Sequence, residues 1–436
     1  MNTPINLSLG EKLKHIRTAQ GISQENVAKI IKKNKSDISR IENGKAEPSD
    51  DALKAIRRFL GIDKAPLLPL ELELYRNRLL ICNGLLDTNR PEDARAMQPE
   101  LEHILALPYE YDLIAQYRML EIRIMIREKN LTDAMEQLVE VEPLLNHVSN
   151  KTLCGYHSNK AFFCTISNNP RSAADHYLIA LGLVDKDDTS TTTRLLASIG
   201  TAYSALGKHH HAIRYYERAL DQFKGGVLSY VIVPIQGAAA VSYYCVGEYA
   251  KAEKVANLAI PHAKSINDNT SHVTLLNALV AIKIDCGDYD AAMSLINEAD
   301  AILENTITNY ASVFEMRLVY LGFAFNKVSC LAKMNRHQEC HEIVDKCQIH
   351  VQGDESLAII LATISHMITF DAPDSIAYIE DVAIPHFAAM KPHGANLTTT
   401  LCKELIAYYT KKKSKTKLAY IKAIMYDIYE EIFIGE

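Results

Sequence analysis

The strongest constraint on this chain is a recurring spacing. Leu196, Ile199, Gly200 and Tyr203 are followed by Gly207, Ala212, Tyr216 and Ala219, and the small residues of that set return at nearly constant steps. Gly247, Ala252 and Ala259 come 40 residues later, and Gly287, Ala292 and Ala299 a further 40. Upstream, Ala173, Tyr177 and Ala180 precede their counterparts by 39 residues, Ala134, Leu138 and Val141 precede those by another 39, and Ala94 lies 40 before Ala134. Downstream, Cys340 and Cys347 fall in the two small slots after a 48-residue step. A period of this length describes a pair of helices that cannot bury its apolar face alone, so that neighbouring pairs must stack. The small side chains belong where two helices cross closely, and the aromatic fills the gap towards the next pair. About seven pairs are recognisable. The segments from Ser375 to Met390 and Leu401 to Ile434 are helical in pattern but match poorly, as terminal caps do.

The rest of the chain agrees with an all-α reading, because no alternating strand pattern interrupts it. Hydrophobic residues make up 48% and charged residues 23% of 436 positions, which excludes intrinsic disorder and collagen-like structure. The longest apolar stretches, Leu357 to Thr363 and Ile232 to Val246, are interrupted or fall short of the ~20 residues that span a bilayer. Met1-Asn2-Thr3-Pro4 opens no signal peptide, and nine scattered cysteines without a CxxC pair suit a reducing compartment. The expectation is a cytoplasmic protein with no membrane partner.

Charge divides the chain. Residues 1–64 carry 13 Lys/Arg against 8 Asp/Glu, whereas the remainder carries 34 against 45. A small basic head on an acidic body points to a polyanionic partner for the head. Residues 8–62 read as five short helices. Ser8 to Glu11 forms a capping box, Gly21 ends the first helix, Ser23 and Asn34 cap the next two, Asn43-Gly44 is a stop, and Ser49 caps a further one. Asp63 to Leu70, with Pro66 and Pro69, reads as an extended, semi-rigid connector. The domain reading is therefore a head at 1–63, a linker at 64–72 and a repeat domain at 73–436.

The head carries a specific resemblance. Gly21 to Ala28 (GISQENVA) and Ser36 to Gly44 (SDISRIENG), with Pro48 beyond, resemble the phage-repressor (Cro/C1, or XRE) type of helix-turn-helix without gaps over about 40 residues. The resemblance implies that the helix from Lys35 to Glu42 enters the major groove. It makes Lys35, Ser36 and Arg40 the base readers, the two cations donating to guanine O6 and N7, and sets Gln24 and Asn43 on phosphate with Lys45 adding charge. Ser36 is a tolerant reader, so DNA shape is expected to share in specificity. Arg17 and Glu42 resemble an internal ion pair of that family. Lys32, Lys33 and Lys54 read as a solvated face.

The repeats resemble tetratricopeptide (TPR) motifs with a longer period. That implies a right-handed α-solenoid whose concave surface is lined by the first helix of each pair and holds an extended peptide. Amide side chains can both donate to and accept from such a backbone. Gln116, Arg123, Asn159, Arg194, Thr201, Gln236, Asn277 and Asn326 are the candidate peptide contacts; the alternative is that each bridges neighbouring helices.

Other clusters read as packing or surface. His209-His210-His211 points in several directions from one helix start and chelates poorly. His337, Cys340, His341, Cys347 and His350 are dense, but both cysteines fill small repeat slots as buried apolar residues. No metal, cofactor or catalytic residue is expected, since no P-loop, GxGxxG, HExxH or GxSxG occurs, and the chain is not expected to be an enzyme. Lys411 to Lys417 reads as a solvated turn. Tyr426 and Tyr429, with Ile421, Ile424, Ile428 and Ile432, form an apolar stripe that serves a cap or a dimer.

A repressor-type head on a helical repeat array resembles the RRNPP family of quorum-sensing regulators. The resemblance implies a homodimer that binds double-stranded operator DNA and whose DNA binding is modulated by a short signalling peptide in the concave groove. Two alternatives stand beside it. One is a dual-function protein that also acts on a response regulator, as aspartyl-phosphate phosphatases with similar repeats do. The other is a ligand-independent repressor whose array only assembles protein partners.

Overall fold

A computed structural model describes residues 7–433 apart from 88–89, 108, 129, 168, 223–228, 311–313, 349–350, 352–354 and 390–394. Among the described residues every regular element is helical. The chain forms two compact units, Met1–Lys186 and Asp187–Glu436.

The first unit opens with α1 (Leu9–Ala19), α2 (Gln24–Ile30), α3 (Lys35–Glu42) and α4 (Asp50–Phe59). Each start is built as the sequence predicts. Ser8 and Glu11 close a reciprocal capping box, the Asp37 carboxylate accepts from the Asn34 amide, and the Ser23 and Ser49 side chains accept from Asn26 and Ala52 amides. Leu13, Ile16, Val27, Ala28, Ile38, Ile41, Leu53, Ile56 and Leu60 form the head's core. Residues 8–62 thus hold four helices and not the five expected; the next, α5 (Pro69–Asp87), begins beyond them, at Pro69.

The connector differs from its prediction. Instead of an extended strap, residues 62–68 fold back on the head. Ala65 and Leu67 are buried in the head's core, and so are Leu107 and Tyr109 from forty residues further on. Pro69 does not stop a helix; it starts one, where its missing N–H is harmless. Glu71 accepts from the Leu67 and Leu68 amides at 3.0 Å each, and Arg57 donates to Glu71 at 2.7 Å and to the Ala65 carbonyl at 2.7 Å. Burial acts to raise the Glu71 pKa, but those amides and the Arg57 guanidinium outweigh it and hold the carboxyl below its ordinary value. Lys12, buried, reaches Glu110 at 2.5 Å and the Leu67 carbonyl at 3.2 Å.

Beyond α5, the first unit continues through α6 (Pro91–Ala96), α7 (Gln98–Leu101), α8 (Tyr111–Arg127), α9 (Leu131–Val141), α10 (Asn150–Ile166) and α11 (Pro170–Leu183). The second unit runs α12 (Thr189–Ala205), α13 (His209–Gln222), α14 (Ser229–Cys245), α15 (Tyr249–Ser265), α16 (Asn269–Asp285), α17 (Tyr289–Tyr310), α18 (Phe314–Lys333), α19 (His337–Cys347) and α20 (Glu355–Ile368). It closes with α21 (Pro373–Tyr378), α22 (Ile384–Ala389), α23 (Ala395–Lys411) and α24 (Lys415–Phe433). Consecutive helices pack as antiparallel pairs, α12 with α13, α14 with α15 and α16 with α17.

The repeat register is visible in burial. Ala94, Ala134, Ala173, Ala212, Ala252, Ala292 and Cys340, the seven residues of one slot, are each fully inaccessible. Two glycine sites show why. A Cβ on Gly200 would come within 2.6 Å of the Tyr216 ring, so α12 and α13 meet through a glycine and an aromatic face. At the corner, Gly207, Gly247 and Gly287 take φ of +70°, +79° and +76°, the left-handed conformation that ends a helix cheaply only with glycine. In the last corner, Lys417 pairs with Glu380 at 2.7 Å. The side chains of Tyr426, Ile428, Tyr429 and Ile432 lie outside the described residues, as does His350.

Candidate nucleic-acid interface and repeat face

The head presents one polar helix edge. Ile38 and Ile41 turn α3 towards the core, which leaves Lys35, Ser36 and Arg40 exposed along the opposite side. Below this edge lies a buried ion pair. Arg17 Nε donates to Glu42 Oε1 at 2.6 Å and its Nη2 to Oε2 at 3.0 Å, a bidentate geometry, while Nη1 donates to the Ile22 carbonyl at 2.6 Å. That pair fixes the end of α3 against α1 and the loop before α2.

Gln24 departs from its simplest reading. Its Nε2 donates to Glu42 Oε2 at 2.7 Å, so the amide is held by the buried pair at the start of α2. Asn43 and Lys45 are exposed just beyond α3, where Asn43 Nδ2 donates to the Ser39 carbonyl at 2.7 Å. Gly44, with φ +66°, turns the chain so that the Lys45 amide donates to the Arg40 carbonyl at 2.8 Å. Lys35 pairs with Glu25 at 3.0 Å, both side chains largely solvated; an exposed pair of this kind contributes little and exchanges readily for a phosphate or a base edge. The turn between α2 and α3 sets Lys32 at φ +53°, where glycine would be easier.

Gly10 is a residue that sequence reasoning missed. A Cβ there would stand 1.9 Å from the Ile41 carbonyl oxygen, so α1 can approach α3 only through a glycine. Its place inside a capping box was visible; the backbone of a helix thirty residues away was not.

The candidate peptide contacts separate into two groups. In the first unit, Gln116 Nε2 donates to Asp112 at 2.9 Å and to Thr152 at 3.0 Å, Arg123 donates to Asn83 at 2.5 Å, and buried Asn159 donates to the Met119 carbonyl at 2.9 Å. All three bridge neighbouring helices. In the second unit, Arg194 and Thr201 are exposed on α12, the Thr201 hydroxyl donating to the Ala197 carbonyl at 3.1 Å and accepting from Tyr216 at 3.3 Å. Asn326 donates to Asn277 at 2.9 Å, joining α18 to α16. Gln236 on α14 stands apart: its Oε1 is buried with no hydrogen-bond partner among the described residues. A buried carbonyl left so is costly.

The other clusters behave as packing. Cys340 and Cys347 are fully buried, and burial pushes the Cys347 thiol up to about 12. His209 is buried rather than solvated at its corner, and His211 stacks on Tyr203. No helix among the described residues is long and apolar enough to cross a membrane.

This arrangement defines a class: an all-α protein with a helix-turn-helix head and a body of TPR-like helix pairs. Comparison with known proteins agrees. The helix-turn-helix family matches residues 13–67 and the tetratricopeptide repeat residues 193–222. No curated protein matches the chain by sequence. Among solved structures, the chain is similar to a Rap protein complexed with competence and sporulation factor, with a TM-score of 0.68 at 16% identity over 84% of this chain and 100% of that one. It is also similar to the apo form of the quorum sensor NprR from B. thuringiensis, with 0.61 at 19% over 82% and 97% of the two chains. The same sensor in complex with its cognate peptide NprX gives 0.59 at 18% over 82% and 98%. At these identities the likeness establishes the fold. Head, repeat and fold together bear out the resemblance to the RRNPP regulators.

Proposed function

We propose that this chain is a cytoplasmic transcriptional regulator that grips operator DNA as a homodimer through α3 and answers to a short signalling peptide held by its repeats. Lys35, Ser36 and Arg40 read bases, while Gln24, Asn43 and Lys45 position the head on phosphate. The observation that carries this reading is the recognition edge itself. Three polar side chains stand exposed on one side of α3, and the helix beneath them is locked by a buried bidentate ion pair. An element rigid below and polar above is what base readout requires.

For the peptide, the reading rests on Gln236. Its buried, unpaired carbonyl is satisfied if a peptide amide donates to it. Arg194, Thr201, Asn277 and Asn326 are the other contacts proposed in the second unit; Gln116, Arg123 and Asn159 join them only if a peptide displaces their present partners. Peptide shifts DNA binding by its differential affinity for two states of the protein and by nothing else. Gel shifts on DNA upstream of the protein's own gene, with and without short peptides encoded nearby, test the proposal. A retarded band that responds to one peptide is expected, and a band indifferent to all of them would leave a ligand-independent repressor.

A further inference from the structure

The repeat loses its regularity at one step. Gly207, Gly247 and Gly287 turn successive corners 40 residues apart, and the next corner is turned by Asn335, at φ +60°, 48 residues on. Asparagine takes this left-handed conformation more readily than other side chains do. The helices between those last two corners are long. α17 has 22 residues and α18 has 20, against 17 in each of α12, α14 and α16.

The corners fix a register in which residues can be matched slot by slot. Ile199, Ala239 and Leu279 share one slot on the first helices of successive pairs, and all three are buried. On α18 that slot holds Lys327. On the second helices, Leu220 and Ile260 are followed at the matching position by Asp300. Lys327 and Asp300 form an ion pair, their side chains 21% and 33% exposed. A pair withdrawn from water in this way is no more stabilising than the apolar residues it replaces. Two apolar slots have thus turned charged at one place in the stack, and stability does not account for the change.

The pair borders a cavity of about 150 Å³. Among the described residues its apolar wall is made by Leu303 from α17, Phe323 and Ala324 from α18, and Ile343 from α19. A void of that size accepts a benzene ring. Lys346 also lines it, exposed and without an ion pair among the described residues. Two lysines against one aspartate leave the lining with one net positive charge. Asn326, which joins α18 to α16 and is a candidate peptide contact, lies on another face of α18.

We infer that this cavity is a binding site for a small organic anion: a compact ring or branched chain that carries one carboxylate. The apolar part fills the space between Leu303, Phe323 and Ile343, Lys346 meets the carboxylate, and Asp300 holds Lys327 beside it. A mostly apolar wall with a few placed charges is the usual make-up of a small-molecule site, and a single net charge suits a monocarboxylate better than a phosphate. The inference goes beyond the DNA and peptide readings and stands without them.

Calorimetric titration of the full chain with phenylacetate and with 4-methylpentanoate tests it. At least one of the acids should bind once per chain and raise the melting temperature as its concentration rises. The amide of that acid, uncharged and of the same shape, should bind at least tenfold more weakly. Lys346→Gln, at an exposed position, should leave circular dichroism unchanged and cut the preference for acid over amide at least fivefold. Ala324→Phe should fill the cavity and abolish binding of both. Lys327→Leu with Asp300→Leu restores the apolar slots, so it should melt no lower than the wild type while losing the acid. A double variant that melts lower and still binds would make the pair structural and overturn the inference. So would saturable binding of neither acid, equal binding of acid and amide, or full preference kept in Lys346→Gln. Gly-Gly-Phe separates two sources of the same chemistry. If it displaces the acid, the occupant is the C-terminal residue of a peptide; if it does not, the occupant is a free acid, and either result upholds the site.

Discussion

Polar side chains meet opposite fates in the head and in the first helix pairs of the body. On α3, Ser36 and Arg40 project into solvent, and Lys35 holds only a solvated partner. On α8 and α10, Gln116, Arg123 and Asn159 are spent on bridges between helices of the same unit. The contrast has a geometric origin. A short helix packed along one edge leaves its other edge to solvent, whereas in a stack each helix has neighbours on two sides. A polar residue there finds a backbone or an amide to bond before any ligand arrives. Exposure on an isolated edge therefore signals recognition more directly than polarity inside an array. Gln236 is informative because it escapes that rule, its Oε1 being buried with no partner among the described residues.

The sharpest way to break this contrast is to attack what holds the recognition edge rigid. Arg17→Ala strands the buried Glu42 carboxylate, a change that costs about 3–5 kcal/mol. Guanidinium denaturation followed by tryptic cleavage should show the head unfolding early while the second unit retains its transition. Gly10→Ala forces α1 off the Ile41 carbonyl, and Gly200→Ala drives α12 into the Tyr216 ring. Overpacking costs about 1–3 kcal/mol, so both variants should melt lower, but only Gly10→Ala should lose operator binding. Equal loss in both would mean that the two regions are not separable.

Within the body, Asn159→Ala removes a buried bridge and should lower stability by about 1–3 kcal/mol without altering which peptide is bound. Gln236→Leu should do the reverse, weakening peptide by tenfold or more in calorimetry while leaving the melting temperature unchanged or higher. The smallest effect is one of pH. Because the amides of Leu67 and Leu68 and the Arg57 guanidinium hold the Glu71 carboxyl below its ordinary value against the opposing effect of burial, it stabilises the junction above that ordinary value and the contribution fades as pH falls through the lowered one. Glu71→Gln should flatten that acid branch in a pH series of hydrogen-exchange protection across residues 62–75.

How legible each part was follows from how local its cause is. The slot running from Ala94 to Cys340 was readable because every repeat solves the same crossing with the same small residue. The caps at Ser8, Ser23, Asn34 and Ser49 were readable because each is decided within four positions. The junction was not. Lys12 meets Glu110, and Leu107 and Tyr109 enter the head's core, across about a hundred residues that no local pattern links. The same distance hid Gly10. Pro69 misled because a proline that ends one helix also serves to begin another. Of the candidate sites, the helix that presents Lys35, Ser36 and Arg40 was legible from its motif, and their exposure along one side of it follows from Ile38 and Ile41 facing the core. The bridging roles of Gln116, Arg123 and Asn159 were visible only as an alternative, since sequence gives polarity but not neighbours.

The claim at the centre is that α3 reads DNA. Fluorescence anisotropy with the protein's own upstream duplex, set against a scrambled duplex of equal length, measures it directly. The wild type should prefer its own site by a hundredfold or more, and Arg40→Ala should lose about 1–3 kcal/mol of that preference while keeping its salt-dependent, sequence-blind binding. Equal affinity for both duplexes in the wild type, or full preference retained without Arg40, Lys35 and Ser36, would contradict the account.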